Sequence, residues 1–166
     1  MGVTVDHRSF VIKRELPGSP AHAFRFWSEH ALKRRWNACH PDWQVIEDRF
    51  DFRIDGIESM IWRMPDGTKQ TMLAHFLEVH PRQRIVYAYT MRTNDVPISS
   101  SLVTVEFEGR DGKSIMTFTE QAVFGSVADG DIREHGTGVG FTRLQEAMSE
   151  ALEGGHSDRA ASELDR

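Results

Sequence analysis

The chain has 166 residues, a formal net charge of −5 and a single cysteine, Cys39. At that length one domain buries about 70% of its unfolded surface and two would be cramped. The acidic balance argues against a nucleic-acid binder driven by phosphate neutralisation. One thiol excludes an intramolecular disulfide and a multi-cysteine metal centre.

In chain order, residues 1–7 form an N-terminal tail without the apolar core of a secretion signal. Residues 8–16 alternate and predict a first strand, stopped by Pro17-Gly18. Ser19-Pro20 then opens a helix, with serine as N-cap and proline at the first helical position. A second short helix is predicted over 29–36, and residues 37–42 form a loop. From Trp43 to Phe124 the pattern is period two, and six strands fit: 44–52, 56–64, 69–79, 84–92, 101–109 and 114–124. Asp55-Gly56, Pro65-Asp66-Gly67, His80-Pro81 and Arg110-Asp111-Gly112 mark reversals too short for helical crossovers. A final helix is predicted over 133–153, with Phe141, Leu144, Met148 and Leu152 on one stripe. Gly154-Gly155 is read as its stop, and 154–166 as a flexible polar tail. No apolar run approaches the ~20 residues of a membrane span. The expectation is one domain over 8–153 in a cytoplasmic chain.

A seven-stranded antiparallel sheet with one long amphipathic helix must curve around that helix to cover its apolar face. One helix cannot fill the hollow of seven strands, so a cavity is expected between them. The ten Phe, four Trp, two Tyr and seven Met then have a place to go.

The residues also carry a resemblance. The segments 16–24 (Leu16-Pro17-Gly18-Ser19-Pro20 through Phe24), 32–36 ending in Trp36, Phe52-Arg53-Ile54-Asp55-Gly56 and Met64-Pro65-Asp66-Gly67 follow a known order. So do 76–86 (Phe76-Leu77-Glu78-Val79-His80-Pro81 through Val86), 103–107 and 117–120. Together they resemble the START-like, SRPBCC or Bet v 1-like superfamily, in the branch named after the activator of the heat-shock protein 90 ATPase. The resemblance implies an α+β helix-grip fold: a curved antiparallel seven-stranded sheet around a long C-terminal helix, with two short helices after the first strand. It supplies no universal catalytic residues, and the fold hosts binding modules, cyclases and lipid carriers. The sequence departs from the family pattern at Asp55, where a glycine is usual, and at Gly136-Thr137-Gly138-Val139-Gly140-Phe141.

The expected cavity lining is Met60, Trp62, Tyr87, Phe118, Glu120, Phe141, Leu144 and Met148, with parity leaving open which strand faces turn inward. Glu120 alternates with Met116, Phe118, Ala122 and Phe124; if that face is inward, an unpaired carboxylate there would have a raised pKa. Glu78 is expected to pair with Arg84. The run Lys33-Arg34-Arg35 reads as a solvated helix face, and the three glycines at 136–140 do not match a dinucleotide loop. The histidines lack metal-site spacing, so neither metal nor cofactor is expected.

The leading functional expectation is binding of an apolar or aromatic small molecule or lipid by a monomer or homodimer. The alternative is an enzyme (cyclase, hydrolase or isomerase) acting on an aromatic or polyketide-like substrate with Glu120 or His75 as acid or base. A third reading is a chaperone-associated or regulatory interaction module. The expected length leaves no room for the separate chaperone-binding region that the family name rests on.

Overall fold

Period-two alternation yields seven strands, which pair into one antiparallel sheet in a computed structural model describing residues 4–164, with side chains as far as residue 155. The strands are β1 (Asp6–Leu16), β2 (Gln44–Phe50), β3 (Ile57–Arg63), β4 (Lys69–His80), β5 (Arg84–Thr93), β6 (Val96–Arg110) and β7 (Lys113–Phe124). Their spatial order is β1-β7-β6-β5-β4-β3-β2. The last six form a meander, and β1 closes against β7. Two short helices, α1 (Pro20–Ser28) and α2 (His30–Lys33), follow β1, and the long α3 (Val127–Leu164) ends the chain. This is the α+β helix-grip arrangement.

Local chemistry explains the boundaries. The Ser19 hydroxyl accepts from the His22 N–H at 3.2 Å, and Pro20 opens α1. β6 begins at Val96, five residues before the expected 101. Asn94 and Asp95, with φ of 49° and 65°, form the two-residue turn that joins β5 to it. No glycine marks that turn, so the sequence pattern hides it. At Asp55 the φ of 65° is the left-handed conformation that favours glycine and that aspartate tolerates. Gly56 beside it is required, because a Cβ would collide with the Asp51 carbonyl.

The helices differ from expectation in three ways. α2 is one turn long, over 30–33. α3 begins at Val127, where the Ser126 hydroxyl accepts from the Asp129 N–H at 3.1 Å. The glycines at 136, 138 and 140 therefore lie inside the helix. Gly154-Gly155 does not stop it either. Most of the tail expected over 154–166 is helical as far as Leu164, since glycine lowers helix propensity without removing a backbone hydrogen bond. Residues 1–3, 165 and 166 lie outside the described residues.

α3 packs mainly on β1, β7 and α1. There Phe26, Trp27, Met116, Phe118, Phe141, Leu144 and Met148 form the core. This seating leaves much of the inner face of β3, β4 and β5 without a helix over it, and it is there that the cavity lies.

Candidate functional site

A cavity of about 320 Å³ opens between the inner face of β3–β5, the α1–α2 segment and residues 132–143 on α3. Strand register builds its floor. Met60, Met72 and Met91 are successive partners across β3, β4 and β5, so three thioethers stand side by side on one face. Methionine is unbranched and polarizable, which makes such a wall adaptable. Tyr87 and Tyr89 continue the face on β5, and Trp27, Trp36, Phe118 and Phe141 close it with aromatic rings. The ring centroids of Phe118 and Phe141 lie 5.0 Å apart, edge to face.

Of the residues expected to line a cavity, Met60, Trp62, Tyr87, Phe118 and Phe141 border this one. Leu144 and Met148 do not. They sit further along the same helical stripe, fully buried where α3 rests on the core. His75 is exposed on the opposite face of β4, because Ala74 and Phe76 take the inward positions. The enzyme reading thereby loses that residue.

Glu120 faces inward with no exposed surface, and it is paired. Its Oε1 accepts from the Tyr89 hydroxyl at 2.7 Å and from the Ser101 hydroxyl at 2.6 Å, and forms an ion pair with Arg133 at 3.3 Å. Arg133 also donates to the Tyr89 oxygen and to the Ser99 hydroxyl, each at 2.7 Å. Arg133 and Tyr89 border the cavity, and Glu120 stands behind them. Burial raises the Tyr89 pKa, and the Glu120 charge raises it further. Tyr87 is likewise held well above the ordinary value, first by burial. Both phenols therefore stay protonated at neutral pH.

A second polar group lies at the α2 side. Lys33 is 2% exposed, which corrects the expectation of a solvated basic run. Its Nζ donates to Glu58 Oε1 at 2.6 Å and lies 5.3–5.9 Å from the ring centroids of Trp27, Phe50, Phe76 and Tyr87. Burial lowers the Lys33 pKa against the pull of Glu58. Burial alone would raise Glu58, but Lys33 and Arg34 together hold it below its ordinary value. Arg34 bridges Glu58 and Asp48, each at 2.8 Å, while Arg35 reaches Glu150 at 3.2 Å.

Two indoles contrast with a third. Trp36 Nε1 donates to the Phe26 carbonyl at 2.8 Å. Trp27 Nε1 and Trp62 Nε1 are buried without a protein acceptor, and both residues border the cavity.

Sequence reasoning missed Arg133, Lys33, Met72 and Met91. Three had a signal. The stripe Met148, Leu144, Phe141 runs back through Thr137 to Arg133 at helical spacing, and Met72 and Met91 share parity with Phe76 and Tyr87. Outside the cavity, Glu78 pairs with Arg84 at 2.8 Å as expected. Cys39 is a free, half-buried thiol. Among the described residues, no three His, Cys, Asp or Glu side chains gather to hold a metal, and no helix is long and apolar enough to cross a membrane.

Residues 17–153 match the family described as activator of Hsp90 ATPase homolog 1-like protein. The chain belongs to this family. Among solved structures, a protein from Rhizobium leguminosarum is 38% identical, with a TM-score of 0.83 over 89% of this chain and 97% of that one. A protein from Rhizobium loti is 33% identical, with a TM-score of 0.80 over 87% and 99% of the two chains. A Nitrosomonas europaea protein at 21% identity and a TM-score of 0.67, covering 87% and 96%, shares the fold alone. No curated protein matches the chain. Membership in the activator-homologue family accounts for the sheet, the two short helices and the gripped α3. It leaves the use of the cavity to be argued from its walls.

Proposed function

We propose that this member of the activator-homologue family is a small-molecule binding protein, with the cavity between β3–β5 and α3 as its site. The observation that carries the reading is the wall itself: aromatic rings and a three-methionine floor, interrupted by a few placed polar groups. That is the usual make-up of a ligand pocket, in which apolar burial drives association and polar groups fix orientation. A volume of about 320 Å³ is near the lower end for such pockets. It suits a compact ring system better than a two-chain lipid. The paired state of Glu120 and the outward position of His75 favour binding over acid–base turnover.

The test is titration with 1-anilinonaphthalene, whose fluorescence rises in apolar surroundings. Native mass spectrometry of the same sample gives stoichiometry and any co-purified compound. Saturable one-to-one binding is expected. It should weaken at least tenfold in Met72→Trp and Met91→Phe, which extend side chains into the space. No saturable binding by the folded protein, and no co-purified compound, would overturn the reading.

A further inference from the structure

We infer that the cavity selects a ligand bearing an anionic oxygen group, a carboxylate or sulfonate on an aromatic body. The inference rests on the binding reading above and specifies what the polar groups of the wall are for.

A buried donor with no acceptor is costly, and an indole N–H can only donate. Trp27 is 2% exposed and Trp62 is half-buried, yet Nε1 of each is buried and unpartnered, while the neighbouring Trp36 satisfies its own against a carbonyl. Both unpartnered donors belong to residues that border the cavity. Glu58, the one carboxylate among the bordering residues, is engaged on both oxygens by Lys33 and Arg34. The Tyr89 oxygen already accepts from Arg133. Glu120 Oε2 lacks a hydrogen bond, but Glu120 stands behind Tyr89 and does not border the cavity. Neither indole N–H therefore has an acceptor within reach on the wall.

Charge points the same way. Three cations border the cavity, Lys33, Arg133 and Arg143, against Glu58 alone. Lys33 is answered by Glu58 and Arg133 by Glu120. Arg143 is exposed on α3 at the cavity edge and has no ion pair among the described residues. In a chain of net charge −5, three cations against one carboxylate at an aromatic pocket are a local exception to the overall field. An anionic oxygen group would supply Arg143 with a counter-charge and the indole N–H groups with acceptors. Charge-assisted bonds of that kind are the stronger ones.

The experiment compares two probes with the same ring skeleton: 8-anilinonaphthalene-1-sulfonate and 1-anilinonaphthalene, which lacks the sulfonate. Affinities are measured by fluorescence at low and at physiological salt. The sulfonate is expected to bind at least tenfold tighter. Arg143→Gln and Trp62→Phe should each cut that preference, the ratio of the two affinities, severalfold. The charge-matched control Arg53→Gln, on an exposed turn remote from the cavity, should leave the preference intact. Equal binding of the two probes, or tighter binding of the neutral one, overturns the inference and leaves the binding reading standing. A preference that survives both Arg143→Gln and Trp62→Phe overturns it as well. Binding of neither probe overturns the inference together with the reading beneath it.

Discussion

At the residue scale, the decisive group is Glu120. A fully buried carboxylate persists only if its charge is met, and here one oxygen gathers two hydroxyls and the Arg133 guanidinium. Removing one partner of such a pair costs more than the pair contributes, because the other charge is left in a medium that cannot solvate it. Arg133→Met should therefore lower the unfolding free energy by about 3 kcal/mol. Glu120→Gln keeps an acceptor for Tyr89 and Ser101 and strands only the Arg133 charge, which lies at the partly exposed cavity edge, so it should cost less, about 2 kcal/mol. The double variant Arg133→Met/Glu120→Gln should recover most of the loss of the first. Urea unfolding of the three variants measures this. A double variant no more stable than Arg133→Met would show that Arg133 acts through packing on Tyr89 and Phe124, over whose rings it lies at 5.2 and 5.4 Å, and not through Glu120.

At the element scale, the single turn of α2 is tied to the sheet by charge. Lys33 and Arg34 reach Glu58 on β3, and Arg34 with His30 reaches Asp48 on β2. The Arg34 hydrogen bond holds Asp48 below its ordinary pKa, and Glu58 is also held low, its two cations outweighing its burial. A carboxylate whose folded pKa is depressed contributes stability above its ordinary value, 4.5 for Glu58. That contribution is lost as pH falls through the lower folded value. The melting temperature should thus hold between about pH 7 and 5 and drop below about pH 4.5. Glu58→Gln should lower it at pH 7 and flatten the acid limb; an unchanged limb would place the acid sensitivity elsewhere. This tie also marks where sequence ran short. The strand pattern, the turns and the alternation were legible because period two and turn chemistry are local. A lysine in a Lys-Arg-Arg run looks like any solvated cation. Its burial is decided by Glu58, 25 residues away, and by rings from four other elements.

At the scale of the whole molecule, the glycine-bearing stretch of α3 is where stability and the cavity meet. Inward parity on the strands was fixed only by where α3 came to rest, against β1, β7 and α1. That seating is why Phe141 borders the cavity while Leu144 and Met148, on the same stripe, fill the core. Gly136 and Gly140 border the cavity too, and a Cβ at either meets nothing within 4 Å. Each lies inside a helix, where glycine is less stable than alanine by about 1 kcal/mol. Gly136→Ala and Gly140→Ala should each raise the unfolding free energy by about that amount. Their methyl groups enter the open space, so both should weaken 1-anilinonaphthalene binding severalfold. Gly138→Ala supplies the control: a Cβ there meets only the Arg14 guanidinium at 3.5 Å, and Gly138 does not border the cavity. It should stabilise the helix and leave the probe affinity unchanged. Amide exchange reads the same trade-off in the parent protein. Residues 137–141 should exchange faster than 144–148, and the two stretches should converge in Gly136→Ala/Gly140→Ala. If exchange in the parent is equally slow across both stretches, the glycines do not loosen the cavity wall. Their effect on binding would then be one of space alone.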